Sequence, residues 1–531
     1  MDRCEVIEPV GKCAPGQPAF STLKNQGGRA TRLFMFVLVL ACAAAAVAYL
    51  AYVPGPTNNT SRPNIVIILA DDLGYGDVSS NYAKGKILTP NIDQLAEQGM
   101  RFTDAHSGAA VCSPTRYGLL TGQHFLRQPW AKSSFQLSVP MIDAERLTLP
   151  EMLQEHGYHT GAFGKWHLGQ TFYTSAGENA GPGPTTDWSK PTSGGPNDQG
   201  FDEFFGSAFT HAQFLRALMH NRLVTEVPTE FPGTLDGPGV EGFDPATVMP
   251  LTTQRVLDYI DWNASERSGE PFFIYFAPVA VHNPLVPSPD FVGKSEVGAY
   301  GDFVLQTDAA VGKVMDKLRE HDLVENTLII FSSDNGSAGQ VRPKTKNALV
   351  GLGTVTKKYG HKVNGPWRGY KGQLWEGGHR VPLIARWPEI IQAGQVSDQL
   401  VVLEDIMATV AAILKVNLPA GSAEDSYDIL PELAGTDYVG PRREYAVLST
   451  FNGDPVLRKD NWVFAAHLGS GGQFRQNEVP TEGGPQGQLY DLLTDPEQQE
   501  NVWLEHPEMI AQLTALYEEH ARRGRSLGVS R

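Results

Sequence analysis

Cys112 opens the run Cys112-Ser113-Pro114-Thr115-Arg116, and its neighbours decide what its thiol can do. Pro114 suits the first turn of a helix, and Tyr117, Leu119 and Leu120 continue one, so the cysteine falls at a helix N-terminus. There the free backbone N–H groups and Arg116 both favour negative charge, which predicts a thiolate or an oxyanion. The alternative is an inert cysteine buried as a small hydrophobe. Two oxygen-rich pairs add to it: Asp71-Asp72 follow directly on the apolar run Asn64 to Ala70, and Asp334-Asn335 on Thr327 to Ser333. Three carboxylates and one amide carbonyl, with no Cys or His pair nearby, suit a hard cation such as calcium or magnesium better than zinc. Either pair alone reads more simply as a turn or helix cap. Both pairs at the ends of core strands point to a metal, because ligands collect at the carboxyl ends of strands in open α/β sheets.

The elements that must position these residues are legible as apolar runs. Asn64 to Ala70, Pro271 to Ala277 and Thr327 to Ser333 are continuous and rich in β-branched or aromatic residues, the pattern of strands buried on both faces. Between the last two, Val304, Val311, Met315 and Leu318 share one helical face while Lys313, Asp316 and Lys317 lie elsewhere. Strands alternating with helices predict an α/β domain with a large mixed, mostly parallel sheet flanked by helices. Ser175 to Gly200 and Gly469 to Gln488 read as long surface loops. From about Pro431 the pattern changes to short strands (Tyr445 to Thr450, Trp462 to Ala466) and a closing helix, Pro507 to Arg522, which predicts a smaller C-terminal α+β subdomain over 431–531.

The formal net charge of −16 argues against a nucleic-acid partner, whose phosphates need excess Lys and Arg. It also disfavours long-range attraction of an anionic substrate, so any positive potential must be local. Leu33 to Val53 is uncharged, apolar and long enough to span a bilayer. With Lys24, Arg29 and Arg32 before it and no charge after it until Arg62, it predicts a signal anchor at 33–53, a cytoplasmic tail at 1–32, a linker at 54–62 and an exported catalytic domain at 63–430. A signal peptide cleaved near Ala46-Val47-Ala48, giving a secreted protein, is the alternative. Of Cys4, Cys13, Cys42 and Cys112, only Cys112 lies beyond the span, so the exported part has no internal disulfide.

Cys112 to Arg116, continued by Tyr117-Gly118-Leu119-Leu120-Thr121-Gly122, resembles the signature of type I sulfatases, formylglycine-dependent and arylsulfatase-like enzymes of the alkaline phosphatase superfamily. Other elements match in order: Asn64 to Asp77, Gly164 to Gly169, Gly200 to Gly206, Ser333 to Gly336, Lys371 within KGQLWEGGHRVP, and Leu489 to Glu497. The resemblance implies an alkaline phosphatase-like fold and a sulfuric ester hydrolase whose Cys112 is oxidised by a separate formylglycine-generating enzyme. By the same resemblance Asp71, Asp72, Asp334 and Asn335, with the modified Cys112, hold one divalent cation, calcium or alternatively magnesium. Arg116 holds the formylglycine, Lys165 and Lys371 bind sulfate oxygens, His282 protonates the leaving alcohol, and His167 removes the proton that lets sulfate leave. The family often has a second histidine after the proline of Val281-His282-Asn283-Pro284, where Leu285 stands in this chain.

Between Val341 and Arg380 stand nine Lys or Arg and one acidic residue, Glu376. This segment between Asp334-Asn335 and Lys371 is expected to lend local positive potential toward a sulfated polysaccharide, with a solvated basic loop as the alternative. A small sulfated molecule is the alternative substrate. Two other functions compete: a phosphonate monoester or phosphodiester hydrolase of the same superfamily, and a sulfated-glycan binding protein that keeps an unmodified Cys112. The oligomeric state is not legible from the sequence.

Overall fold

Asn64–Ala70 (β1) is buried along its whole length, and its side chains alternate between two cores. Ile65, Ile67 and Leu69 face one, and Val66, Ile68 and Ala70 the other. Each fully buried aliphatic side chain contributes roughly 1.5–3 kcal/mol of transfer free energy, so the strand is fixed at the centre of a sheet. A computed structural model describes residues 62–129, 138–233, 236–340, 353–472 and 480–524. The predicted anchor at 33–53, and the tail before it, lie outside the described residues. Among those described, no helix is long and apolar enough to cross a membrane.

The elements around the site follow in chain order as β2 (Met100–Phe102), β3 (Ala105–His106), α1 (Cys112–Thr121), β4 (His159–Lys165), β5 (Glu203–Ser207), β6 (Phe272–Ala277), α2 (Gly298–Glu320), β7 (Thr327–Ser333), α3 (Glu376–His379) and β8 (Leu383–Arg386). Among the described residues the main sheet has ten strands, and at its centre β7, β1, β6, β4 and β5 are mutually parallel. β8 joins β7, and β2 joins β8, antiparallel, so the sheet is mixed. Helices cover both faces: Tyr117, Leu119 and Leu120 of α1 pack into the core of Ile65 and Ile67. Val304, Val311, Met315 and Leu318 of α2 pack into the core of Val66 and Ile68, as their spacing predicted.

β4 reads HTGAFGK and escapes detection as an apolar run, because its glycines answer to neighbours rather than to hydrophobicity. A Cβ on Gly164, whose φ is +108°, would stand 2.0 Å from the Ala277 carbonyl oxygen of β6. The C-terminal part carries an antiparallel sheet of Tyr445–Ser449, Pro455–Lys459, Trp462–Ala465 and Gln488–Asp491. The closing helix Pro507–Arg523 begins with its proline in the first turn and sets Leu513 against Val447, Leu457 and Phe464. Arg458 of this sheet reaches Glu376 and Asp104 in ion pairs, and Ala110 N–H donates to Ser449 O.

Candidate active site

Parallel pairing of β1 with β7 sets Ala70 opposite Ser333, so the residue that follows each strand lands beside the other. The two oxygen-rich pairs therefore converge. Asp334 N–H donates to Ala70 O, and Asp72 N–H donates to Asp334 Oδ1 at 3.1 Å. Asp72 takes a left-handed φ of 63°, a conformation unfavourable for a side chain and found where structure over-determines the backbone.

Helix α1 delivers Cys112 to the same place. Its Sγ lies 3.5 Å from Asp71 Oδ1 and 3.9 Å from Asp72 Oδ1, and it accepts from Lys371 Nζ at 3.1 Å. Lys165, at the end of β4, grips both oxygens of Asp71 at 2.9 and 2.8 Å, and Lys371 Nζ meets Asp72 Oδ1 at 2.5 Å. Arg116, one turn beyond Cys112, is fully buried and so is not a surface helix charge. Its Nε and Nη2 both donate to Asp334 Oδ2, at 3.0 and 2.7 Å, and its Nη1 donates to Lys165 O at 3.0 Å. Ser113 Oγ donates to His167 O at 2.7 Å, which joins α1 to the turn after β4.

The expectation of a thiolate is corrected. Burial pushes the Cys112 thiol up to about 12, and the Asp334 charge adds to it against Lys165 and Lys371. Arg116 offers the thiol little relief because its fork is committed to Asp334. Burial also disfavours charge on Asp72, yet Lys371, His282 and Lys165 hold its carboxyl far below the usual range.

Both histidines are inside this shell. His282 Nδ1 pairs with Asn283 O at 2.7 Å and must donate there, which leaves Nε2 free, 4.0 Å from Asp72 Oδ2. His167 has a φ of 60°, and its buried Nδ1 has no hydrogen-bond partner among the described residues. Burial first, then the cations around them, drives both rings' basicity well below the ordinary value; Lys165 and Arg116 act on His167, Lys371 and Lys165 on His282.

Ligand atoms of Asp71, Asp72, Cys112 and Asp334 lie within 4.8 Å of one another. The amide of Asn335 completes the set: its Nδ2 donates to Asp72 Oδ1 at 2.8 Å, while its buried Oδ1 has no partner among the described residues. An orphaned amide oxygen beside three buried carboxylates fits a hard divalent cation.

Several supporting residues were not singled out by sequence. Tyr275 OH accepts from Arg116 Nη1 at 3.3 Å. Asp77 accepts from Tyr300 OH and, at 2.7 Å, pairs with His361 Nε2, while Tyr300 also meets Ser337 Oγ at 2.7 Å. Ser337 O then accepts from Lys371 N–H, so this network holds the loop that carries the lysine. His211 donates from Nε2 to Pro284 O at 3.0 Å and packs edge-on against His282. Only a shared position in three dimensions marks these residues. The basic segment is partly drawn inward: Arg380 pairs with Asp104 and Glu376, Lys371 sits in the site and Lys362 meets Glu497. Lys357 and Lys358 stay exposed, and 341–352 lie outside the described residues.

The family model described as Sulfatase matches residues 63–416. An N-acetylgalactosamine-6-O-sulfatase of Bacteroides thetaiotaomicron is 32% identical over 501 residues, covering 87% of this chain and 93% of that protein. Human N-acetylgalactosamine-6-sulfatase is 31% identical over 396 residues, 71% of this chain and 67% of its own. Mouse arylsulfatase G is 32% identical over 404 residues, 72% and 70%. Among solved structures, one described under glycosaminoglycan metabolism by Bacteroides thetaiotaomicron aligns with a TM-score of 0.73 at 30% identity, covering 87% of this chain and all of that one.

Proposed function

The chain belongs to the sulfatase family and is a sulfuric ester hydrolase, and from that premise we propose that it removes sulfate from 6-O-sulfated N-acetylgalactosamine in sulfated saccharides. The observation that carries the reading is the convergence of Cys112, Lys165, Lys371 and three carboxylates on one buried point, with the relatives' names supplying the sugar. Asp71, Asp72, Asp334 and Asn335 would hold calcium, and a formylglycine-generating enzyme would convert Cys112. When present, formylglycine supplies a hydroxyl nucleophile at position 112, and the cation supplies positive charge that acidifies it and draws electron density from the sulfate.

The chain's own residues do the rest. Lys165 and Lys371 bind the sulfate oxygens, and their ammoniums, the first buried and the second partly exposed, counter the charge that spreads over them as the ester bond breaks. Arg116 fixes Asp334 through two donors on one oxygen and opposes the burial and the Asp71 charge that push that carboxyl up. His282 turns Nε2 toward the departing alcohol because Nδ1 is held by Asn283 O, and its lowered basicity means that Nε2 must take up a proton once the sulfate anion lies beside it before passing that proton to the alcohol. His167, with a free Nδ1, takes up the proton when sulfate is released. The apolar segment at 33–53 would place this chemistry outside the cytoplasm.

Two measurements test the reading. Peptide mass spectrometry of native protein should find the Cys112 peptide with sulfur and two hydrogens exchanged for one oxygen. Turnover should be highest on 6-O-sulfated N-acetylgalactosamine, lower on the 4-O-sulfated isomer, and lowest on phosphonate monoesters and phosphodiesters. An unmodified thiol with no turnover, or faster phosphonate cleavage, overturns it.

A further inference from the structure

His106 and His379 meet ring to ring in the interior, outside the catalytic cluster, and both are fully buried. Their Nδ1 atoms are 3.0 Å apart. His106 Nε2 lies 2.9 Å from Asp104 Oδ1, and His379 Nε2 lies 3.0 Å from Leu374 O. A carboxylate and a carbonyl can only accept, so each Nε2 carries a proton. Burial works against the Asp104 charge, but Arg380 and Arg458 hold that carboxyl far below the usual range, so it is no donor. Two bare Nδ1 lone pairs at hydrogen-bonding distance would repel. Three protons on two rings is the assignment in which every one of these contacts is a hydrogen bond, and it makes one ring a cation.

The surroundings say which. Burial lowers the basicity of His379 to about 4, with Glu376 opposing. His106 has Asp104 at 2.9 Å and Glu376 Oε2 at 3.9 Å. Arg380 and Arg458 pair with those same two carboxylates, so the fixed charges cancel before the imidazolium is counted. A metal ion between the rings fits less well. Tetrahedral N–metal bonds of about 2.0–2.1 Å would set the nitrogens roughly 3.4 Å apart. Both Glu376 oxygens are already taken by arginines and are not open to a metal.

The pair sits where two catalytic segments are sewn together. His106 ends β3, six residues before Cys112, and His379 ends α3, eight after Lys371. Ser107 N–H donates to His379 O at 2.8 Å, Val381 N–H to Ala105 O at 3.0 Å, and Gly372 N–H to Ala110 O at 2.7 Å. We propose that His106 and His379 form a positioning pair, an imidazolium donating to a neutral imidazole, which fixes the Lys371 segment against the Cys112 segment. It rests on the roles given above to Cys112 and Lys371.

Histidine-labelled full-length enzyme tests it by NMR: His106 should carry protons on both ring nitrogens and His379 on Nε2 alone. His379→Leu strands the His106 Nδ1–H and should lower kcat/KM on a small aryl sulfate about tenfold. His379→Gln can accept from His106 with its amide oxygen and donate to Leu374 O, and should stay within about threefold of the parent. A neutral His106, stoichiometric zinc lost on either substitution, or equal rates in the two variants overturns the pair. Should His379→Leu fail to fold, the proton count and the His379→Gln rate still decide. The proton count needs no turnover, so it separates failure of the pair from failure of the catalytic roles.

Discussion

Glu404 gives the sharpest quantitative test of how the catalytic helix is supported. Its side chain is buried, neither carboxyl oxygen has a hydrogen-bond partner among the described residues, and it lies against α1. A Cβ on Gly118 would stand 2.7 Å from Oε1, and one on Gly108 only 1.8 Å. Burial is the main cause that pushes this carboxyl from 4.5 up to about 8. At pH 7 the folded protein therefore keeps a proton that the unfolded chain has released. At 1.36 kcal/mol for each pH unit above 4.5, the cost at pH 7 is about 3 kcal/mol. The sign follows from a raised folded value: the contribution to stability is full below 4.5 and is lost as pH rises toward about 8. Glu404→Gln keeps the shape and removes the titration. In urea unfolding at pH 5, 6, 7 and 8, its stability advantage over the parent should be small at pH 5 and grow by about 1.4 kcal/mol per unit until the parent's carboxyl ionises. Parallel pH profiles for the two proteins would refute the reasoning, since every other group is common to both.

Four more outcomes are expected. Arg116→Gln leaves Asp334 buried without its cation and should cost about 3–5 kcal/mol in urea unfolding; a loss under 1 kcal/mol would mean that Asp334 has another partner. His282→Ala should lower kcat by about 10²–10⁴ on a sulfated sugar, whose alcohol leaves poorly, and far less on an aryl sulfate with its acidic phenol; equal losses would remove the proton-donor role. Neutralising Lys357, Lys358 and Lys362 together should raise KM on a sulfated polymer well beyond any change on a small aryl sulfate, and matched changes would make this a merely solvated basic face. Chelation should abolish turnover, calcium should restore it, and Asn335→Leu should weaken calcium binding in calorimetry about tenfold, a readout independent of catalysis.

The sequence made most of the site legible because the site hangs from strand ends. β1 and β7 are buried on both faces, so each reads as one apolar run, and the polar residue that stops the run is the one at the carboxyl end of the sheet. Asp71, Asp72, Asp334 and Asn335 were visible for that reason. β4 was not visible, since close approach to its neighbours selects glycine at 164 and leaves no apolar pattern; Lys165 at its end was found through the family motif alone. The thiolate was misjudged because helix and arginine were weighed without the carboxylates, whose distances the sequence cannot supply. Tyr275, Asp77, Tyr300 and the His106–His379 pair carry no local signal, for their partners lie scores to hundreds of residues away in the chain.

The charges of the site answer the question posed by an acidic chain that acts on an anion. Asp71, Asp72 and Asp334 stand against Lys165, Lys371 and Arg116, three against three, and the buried thiol of Cys112 adds nothing. Among the described residues, these side chains alone therefore give sulfate no net attraction, and a net charge of −16 gives it none from outside. Lys165 and Lys371 are each turned onto a carboxylate, so their ammoniums are not free for a ligand. A divalent cation held by the same carboxylates would change both facts together: the site would be positive overall, and Lys165 and Lys371 would no longer be needed to neutralise Asp71 and Asp72. Under the proposed roles the cation is what makes two lysines of this chain available to bind sulfate. Substitution of either lysine should consequently weaken substrate binding only in the presence of the ion, while in its absence the loss should appear in stability, where Asp71 or Asp72 loses its nearest cation.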